Sequence, residues 1–343
     1  MRLIGEARIR DLLPAGSPGR LEASGVIFLG DRQAALVGAA GPAPLGAATQ
    51  AGPGGTGRAG LGGADRAAPG GAGRAGLGGA ERAGLGGAEL AGPGGAGRVD
   101  FGGAGRAGDG RYLVIFDNLR AVARIGADLS RVADNDLVWS PPATSSQGYE
   151  DIARDPSTGH VFLLIESDRR DGGYQARVEE YDADLHSVAS GWLEYPIARA
   201  NKGIEGLEFV RRDDGVHLLG LHESGGLLVF RPGRRNWKHV ATVDLPDDLG
   251  LADFSGISLA GDRIALISQQ SAALWVGELA PDKWAAAGLG RTYRFPSGYR
   301  TVEGVCWIGS STVVVVSDRS KRDSQPAHRR DEEESLHLFE IDD

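Results

Sequence analysis

Short apolar runs alternate with turn residues over most of the chain, and five of these runs open in the same way. Each begins with a polar residue, followed by Gly or Asp, an apolar residue, any residue and usually a second apolar residue. The five copies of this motif occupy 24–28, 150–153, 205–209, 255–259 and 303–307. Apolar residues at alternate positions between turns are typical of short β-strands. The pattern therefore predicts five copies of one β-rich unit.

A second and often a third apolar run follow each motif. The second runs occupy 112–118, 161–167, 216–224, 263–270 and 312–320, and the third runs occupy 121–125, 176–181, 227–230, 273–279 and 336–341. Consecutive motifs lie about 50 residues apart when the segment 31–108 is left out of the count. Three to four strands in such a unit are typical of a propeller blade, whereas a β-sandwich gives no reason for the recurring motif. We predict an all-β, five-bladed β-propeller.

The N-terminal stretch completes the predicted fold. The last unit has too few residues after Glu303 for four strands, and residues 2–12 have the composition of a further strand. We expect this stretch to pair with the last unit as its outer strand and to close the ring, because closure removes exposed strand edges. The whole chain, 1–343, would then form a single propeller domain.

A glycine-rich repeat interrupts the first unit. Residues 51–106 divide into eight-residue units that each contain a Gly-Gly pair. Such units have few bulky side chains to bury and lose much backbone entropy on ordering, which favours a flexible segment; an ordered glycine-rich packing is the alternative. The GxGxxG sequences at 52–57 and 92–97 lack the strand and helix that dinucleotide binding needs. We predict that 31–108 is an insertion in the turn between the first two strands of the first blade.

Bulk composition excludes several classes of function. The chain of 343 residues has a formal net charge of −9, which disfavours binding to nucleic acid. With one cysteine it has no internal disulfide, and we find neither a signal peptide nor an apolar stretch that could span a membrane. We therefore expect a cytoplasmic protein that does not bind membranes.

The motif places one oxygen-bearing side chain per unit at the predicted axis. These inner positions are Ser24, Glu150, Glu205, Ser255 and Glu303. The first strand of each blade lines the central channel, so three carboxylates would meet around a narrow axis. Carboxylates in such a place repel one another unless some are protonated or a cation neutralises them, and a set of oxygen ligands fits Ca²⁺. A Ca²⁺ site is one prediction, and a water-filled polar channel without metal is the other.

The ends of the second strands are expected at the same face of the propeller. They carry Asp117, Glu166, Glu223, Gln269 and Asp318, and the nearby cations Lys202, Arg319 and Lys321 are candidates for holding an anionic ligand. His222, beside Glu223, is a candidate acid or base because imidazole titrates near neutral pH. Hydrogen bonding or ion pairing without chemistry is the alternative role for each of these residues.

These motifs resemble bacterial propeller proteins described as phytase-like, or as having the esterase-like activity of phytase. The similarity lies in 148–153, 201–209, 253–259, 267–277, 301–307 and a segment that ends at Lys321. The inner positions Ser24, Glu205 and Ser255 are also similar to those of calcium-activated nucleotidases (apyrases), five-bladed propellers with calcium on the axis. The resemblance implies a propeller fold, a central calcium ion and a phosphorylated substrate.

The sequence is compatible with two functions. The first is metal-assisted hydrolysis of a phosphoester, with His222, Glu223 and Lys202 as candidate catalytic residues. The sequence has no GxSxG elbow, P-loop or HExxH motif that would indicate another hydrolytic chemistry. The second function is a non-catalytic propeller that binds a small anion or a protein partner, with the charged loop 319–335 as a contact surface.

Overall fold

β-Strands make up most of the part of the protein that the computed structural model describes, which is residues 1–30, 110–130, 135–140, 147–319 and 333–342. These ranges contain twenty strands and one short helix, α1 (Ile9–Leu12). With four residues, α1 is too short to span a membrane. The insertion predicted at 31–108 lies outside the described residues, and so does Lys321.

The strands form antiparallel groups of four. Group one contains β2 (Ala23–Leu29), β3 (Arg111–Phe116), β4 (Leu119–Gly126) and β5 (Asp136–Trp139). Group two contains β6 (Ile152–Arg154), β7 (Val161–Arg170), β8 (Gly173–Tyr181) and β9 (Ser187–Glu194), and group three contains β10 (Ile204–Arg212), β11 (Gly215–His222), β12 (Leu227–Pro232) and β13 (Trp237–Val243). Group four contains β14 (Gly256–Ala260), β15 (Arg263–Ser268), β16 (Ala273–Glu278) and β17 (Arg291–Arg294). Group five contains β18 (Val302–Trp307), β19 (Thr312–Ser317), β20 (Ser335–Glu340) and the N-terminal β1 (Arg2–Arg8).

Groups two and three are joined by their outer strands. A short parallel pairing of β9 with β13 makes them one eight-stranded sheet, whereas the other groups are separate four-stranded sheets. Apolar clusters fill the space between groups: one combines side chains of groups two and three, a second those of three and four, a third those of four and five, and a fourth those of five, one and two. The fold is therefore all-β and propeller-like, with its core between successive sheets.

The structure confirms the strands predicted from the first, second and third apolar runs. The fourth strands β5, β9, β13 and β17 were not predicted, because their mostly exposed or half-buried residues form no continuous apolar run. The prediction of one strand over 2–12 is wrong at its end. The strand stops at Arg8, and the next four residues form α1, which buries Ile9 and Leu12.

The N-terminal strand pairs with β20, as predicted, and a buried hydrogen-bond chain supports this pairing. Glu6 Oε2 lies 2.7 Å from His337 Nδ1 and accepts a 2.9 Å bond from the Tyr299 hydroxyl. The other ring nitrogen of His337 lies 2.9 Å from Ser317 Oγ, and both residues are fully buried. The hydrogen bond with His337 lowers the pKa of Glu6, against the effect of partial burial.

The first strands of the five groups contact one another in order: β2 with β6, β6 with β10, β10 with β14, β14 with β18, and β18 with β2. Glycine at the second motif position permits this approach. A Cβ added at Gly304 would lie 2.7 Å from the Cα of Gly25, and one added at Gly256 would lie 2.5 Å from the carbonyl oxygen of Glu303. These positions exclude a side chain, which explains the recurring glycine.

Asp151 stands where the other motifs have glycine, and its side chain is buried. Its Oδ1 accepts the N–H of Ile152 at 2.8 Å, and its Oδ2 accepts the N–H of Leu207, in group three, at 2.7 Å. Burial raises the pKa of Asp151 well above its usual range, while the two backbone bonds act in the opposite direction. The carboxyl group thus connects two first strands that have no direct ladder between them.

Glu208 repeats this arrangement one sheet further on. It accepts the N–H of Phe209 at 3.0 Å and the N–H of Leu259, in group four, also at 3.0 Å. Ser258 continues the series, because its hydroxyl oxygen accepts the N–H of Trp307 at 3.1 Å. We call Asp151 and Glu208 the inter-sheet carboxylates, since each bonds backbone groups of two neighbouring four-strand groups.

Candidate functional site

Three carboxylates of groups two and three lie close together. Glu166 lies in β7, Glu205 near the start of β10, and Glu223 directly after β11. Because β11 runs antiparallel to β10, its end lies beside the start of β10. One oxygen of each carboxylate lies within 4.8 Å of the others, and we call these three residues the mouth carboxylates. Two of them were predicted as outer positions and one as an inner position.

The backbone of residues 201–203 holds this cluster in place. The N–H of Gly203 donates to Glu166 Oε1 at 2.7 Å, and the carbonyl oxygen of Gly203 accepts the N–H of Glu223 at 3.1 Å. Two residues earlier, Asn201 has a positive φ of 52° and donates its N–H to Ser167 Oγ at 3.0 Å. The loop therefore bridges β7 and the end of β11, orients the carboxylate of Glu166 and holds the backbone of Glu223.

Lys202 extends from this loop onto the cluster. Its Nζ lies 2.7 Å from Glu223 Oε2, and its side chain is 61% exposed. The hydrogen bond with Glu223, together with the charges of Glu205 and Glu166, raises the pKa of Lys202. One protein cation thus compensates part of a larger negative charge.

Two of the mouth carboxylates, Glu205 and Glu166, have raised pKa values. Burial raises the pKa of Glu205 well above its ordinary value, and the charges of Glu150, Glu166 and Glu303 raise it further. Burial also raises the pKa of Glu166, while the bond from Gly203 lowers it. The hydrogen bond between Glu166 and Glu205 lowers the pKa of Glu166 and raises that of Glu205.

The glutamates and the serines at the five inner positions make different contacts. The three glutamates are close enough to interact, since Glu150 and Glu303 both raise the pKa of Glu205. Glu303 also accepts a hydrogen bond from the amide of Gln269, which is a predicted outer residue. The hydroxyls of Ser24 and Ser255 instead donate to backbone carbonyl oxygens, of Tyr149 and Ile267 respectively. The negative charge is thus concentrated on the three glutamates.

His222 lies next to the cluster and bonds to its own turn. Its Nδ1 is 2.8 Å from the Ser224 hydroxyl. Partial burial lowers the pKa of His222, against a raising effect of the neighbouring Glu223. The imidazole is therefore neutral at pH 7.

The other predicted mouth residues lie at further strand ends. Asp318 is buried after β19 and accepts the N–H of Arg319, whose side chain is exposed. Asp117 follows β3, and its backbone oxygen accepts the N–H of Gly148 at 3.0 Å. Neither aspartate belongs to the cluster of mouth carboxylates. Asp253, which was not predicted, accepts hydrogen bonds from the Ser268 hydroxyl and the N–H of Gln270, so it fixes the turn after β15.

A second group of potential metal ligands lies on the turn between β8 and β9. Asp182, Asp184 and His186 bring ligand atoms within 4.8 Å of one another. Asp182 Oδ1 already accepts the N–H groups of Asp184 and His186, at 2.9 and 2.8 Å. The bond from the His186 backbone is the main cause of the lowered pKa of Asp182. Local turn formation accounts for this group.

Comparisons with known proteins give distant structural likenesses. No protein-family model matches the chain, and no curated protein matches it. A protein of unknown function from Bacteroides caccae has a TM-score of 0.38 and 9% identity over 62% of this chain and 69% of its own. A PQQ-bound aldose sugar dehydrogenase from Streptomyces coelicolor has a TM-score of 0.38 and 13% identity, over 67% of this chain and 90% of its own. A candidate exo-β-1,3-galactanase from Bifidobacterium bifidum has a TM-score of 0.40 and 12% identity, over 68% of this chain and 85% of its own.

Proposed function

We propose that the five strand groups are the blades of a closed five-bladed β-propeller, and that its mouth carboxylates bind a divalent cation, with Ca²⁺ as the first candidate. Two observations support the architecture. The first strands contact one another in chain order and from β18 back to β2, and β1 supplies the fourth strand of group five. A propeller that joins its first and last strands in one blade has no free sheet edge at the junction.

The spacing of the mouth carboxylates is the observation on which the cation site depends. Oxygens within 4.8 Å of one another fit around one ion, because Ca²⁺ lies about 2.4 Å from each ligand oxygen. Glu166, Glu205 and Glu223 supply hard oxygen ligands, and Glu150 and Glu303 add negative charge nearby. Cation binding would replace the proton of Glu205, whose raised pKa marks the cost of leaving this charge uncompensated.

A small phosphorylated molecule is the ligand class that suits such a centre. A bound divalent cation would polarise a phosphoryl oxygen and offset the negative charge of the carboxylates. Lys202 presents an exposed ammonium group at the same place, and Arg319 is a further exposed cation at a neighbouring strand end. His222, neutral at pH 7, offers a proton acceptor beside the cluster. We therefore propose metal-assisted phosphoester hydrolysis as the activity.

A non-catalytic binding propeller is the second candidate function. The observation that favours it is that the candidate acid–base groups already have partners. Glu223 bonds to Lys202 at 2.7 Å, and His222 bonds to Ser224 at 2.8 Å. In this case the cation would hold an anionic ligand or stabilise the channel, and no bond would be broken.

Calcium titration by calorimetry on EDTA-treated protein tests the cation site. We expect binding by the wild type and by a matched control, Glu278→Gln, which removes one exposed carboxylate from β16. Glu205→Gln keeps a hydrogen-bonding group of the same size but loses a charged ligand, and we expect at least about tenfold weaker binding. No binding by the wild type, or equal binding by both variants, contradicts the proposed site.

A substrate panel separates the two functions. Turnover of p-nitrophenyl phosphate, ATP, GDP and phytate is measured with calcium and with EDTA. Calcium-dependent turnover that is lost in Glu205→Gln and retained in Glu278→Gln supports hydrolysis. Calcium binding without turnover of any substrate supports the non-catalytic function.

A further inference from the structure

Lys202 is a cation that the protein itself places on the mouth carboxylates. Its Nζ is 2.7 Å from Glu223 Oε2, and the charges of Glu205 and Glu166 act on it as well. The neighbouring backbone is fixed on both sides, by the Asn201 bond to Ser167 and by the two bonds of Gly203. The ammonium group is therefore tethered by one side chain to a well-held loop directly at the cluster.

We propose that Lys202 determines the charge selectivity of this site: its ammonium group competes with monovalent cations for the mouth carboxylates and yields only to a divalent cation. This inference rests on the proposed cation site and adds a residue that sets its specificity. The ligand class is thereby restricted to divalent cations in a medium that contains Na⁺ and K⁺ in excess.

The competition follows from charge and from tethering. A Na⁺ ion that displaces the ammonium group from Glu223 exchanges one positive charge for another, so it gains little electrostatic energy. The ammonium group is also present at a high effective concentration, because its loop holds it beside the carboxylates. A divalent cation doubles the charge at the cluster and can compensate two carboxylates at once.

The exposure of Lys202 makes its displacement easy. Its side chain is 61% exposed, whereas that of Glu223 is 22% exposed. An ion pair on so exposed a lysine contributes little to stability, and the released ammonium group returns to water without losing a buried partner. Lys202 thus disfavours monovalent cations without preventing a divalent cation from binding.

The test compares Lys202→Met with Lys238→Met, which removes the same charge from an exposed position on the outer strand β13. Calcium titrations are run in about 150 mM tetramethylammonium chloride and in about 150 mM NaCl, so that ionic strength is matched and only the small cation can enter the cluster. In tetramethylammonium chloride we expect Lys202→Met to bind Ca²⁺ about threefold to tenfold more tightly than the wild type. In NaCl we expect this variant to lose most of that gain, while the wild type and Lys238→Met change little. Lys202→Arg should restore the insensitivity to Na⁺.

The outcomes separate this inference from the proposed function. Calcium binding by the wild type, with the same affinity and the same Na⁺ response in Lys202→Met, overturns the selectivity role and leaves the cation site standing. The absence of calcium binding in the wild type and in both methionine variants overturns the cation site and the selectivity role together. Thermal unfolding of each variant confirms that the fold is retained.

Discussion

Two sets of carboxylates in groups two and three have opposite surroundings. The inter-sheet carboxylates, Asp151 and Glu208, direct both of their oxygens at backbone N–H groups, one on their own strand and one on the next sheet. The mouth carboxylates lie close to one another, and the ammonium group of Lys202 compensates part of their charge. Residue type alone therefore does not indicate the role. Backbone donors cannot leave, so the first set is structural, whereas a proton or an ammonium group exchanges with other cations.

Removal of an inter-sheet carboxylate should have the largest effect on stability. Asp151→Ala leaves the buried N–H of Leu207 without its acceptor and opens a gap between two first strands, so we expect a loss of about 2–4 kcal/mol in the free energy of unfolding. Urea unfolding measures it. Asp151→Asn retains one acceptor oxygen and should lose less. An unchanged unfolding free energy in Asp151→Ala would break the distinction between the two sets.

The stabilisation of the fold by Ca²⁺ should also differ between the two sets of carboxylates, with a smaller change in the free energy of unfolding. At a free concentration of about 100 times the dissociation constant, Ca²⁺ should stabilise the wild type by about 2.7 kcal/mol. Glu208→Gln should keep this gain although its metal-free form is less stable, because Glu208 is not a mouth carboxylate. Glu205→Gln should lose most of it. Thermal unfolding with calcium and with EDTA gives both values, and equal gains in the two variants would contradict the assignment.

The pH dependence of the metal-free protein should show the smallest effect. The folded-state pKa of Glu205 is raised, so its protonated form favours folding at low pH and this contribution is lost as the pH rises through the raised value. Glu205→Gln removes the dependence. Between the ordinary and the raised pKa, the wild type should lose up to about 1.4 kcal/mol per pH unit relative to this variant. The unfolding free energy in EDTA is measured for both across this range, and a constant difference would show that Glu205 carries no such proton.

The sequence allowed most of the fold to be predicted, because the information lies in local patterns. Apolar runs and the recurring motif gave the first three strands of each group, and the shortage of residues after Glu303 indicated the role of β1. The outer strands were missed, since an exposed strand such as β13 has no apolar signature. The boundary between β1 and α1 was also missed, because burial of Ile9 and Leu12 depends on tertiary packing.

The candidate site could be predicted only in part. The motif assigned Glu150, Glu205 and Glu303 to equivalent positions of repeated units, and in the structure the charges of Glu150 and Glu303 raise the pKa of Glu205. The bonds of Gly203 to Glu166 and Glu223 could not be found in this way, since a backbone N–H has no residue-type signal. The one available signal for the role of Asp151 was its position, where the other motifs require glycine for close approach.

The pairing of β1 with β20 has a consequence for biosynthesis. The register joins Arg2 to Glu340, so this sheet forms only after two segments 338 residues apart in the chain have both been synthesised. Until then the N-terminal segment, with Leu3 and Ile4 on its surface, has an open edge that can add to the sheet of another nascent chain. Dense polysomes should therefore favour strand exchange between neighbouring copies, and slower initiation should increase the yield of correctly folded protein.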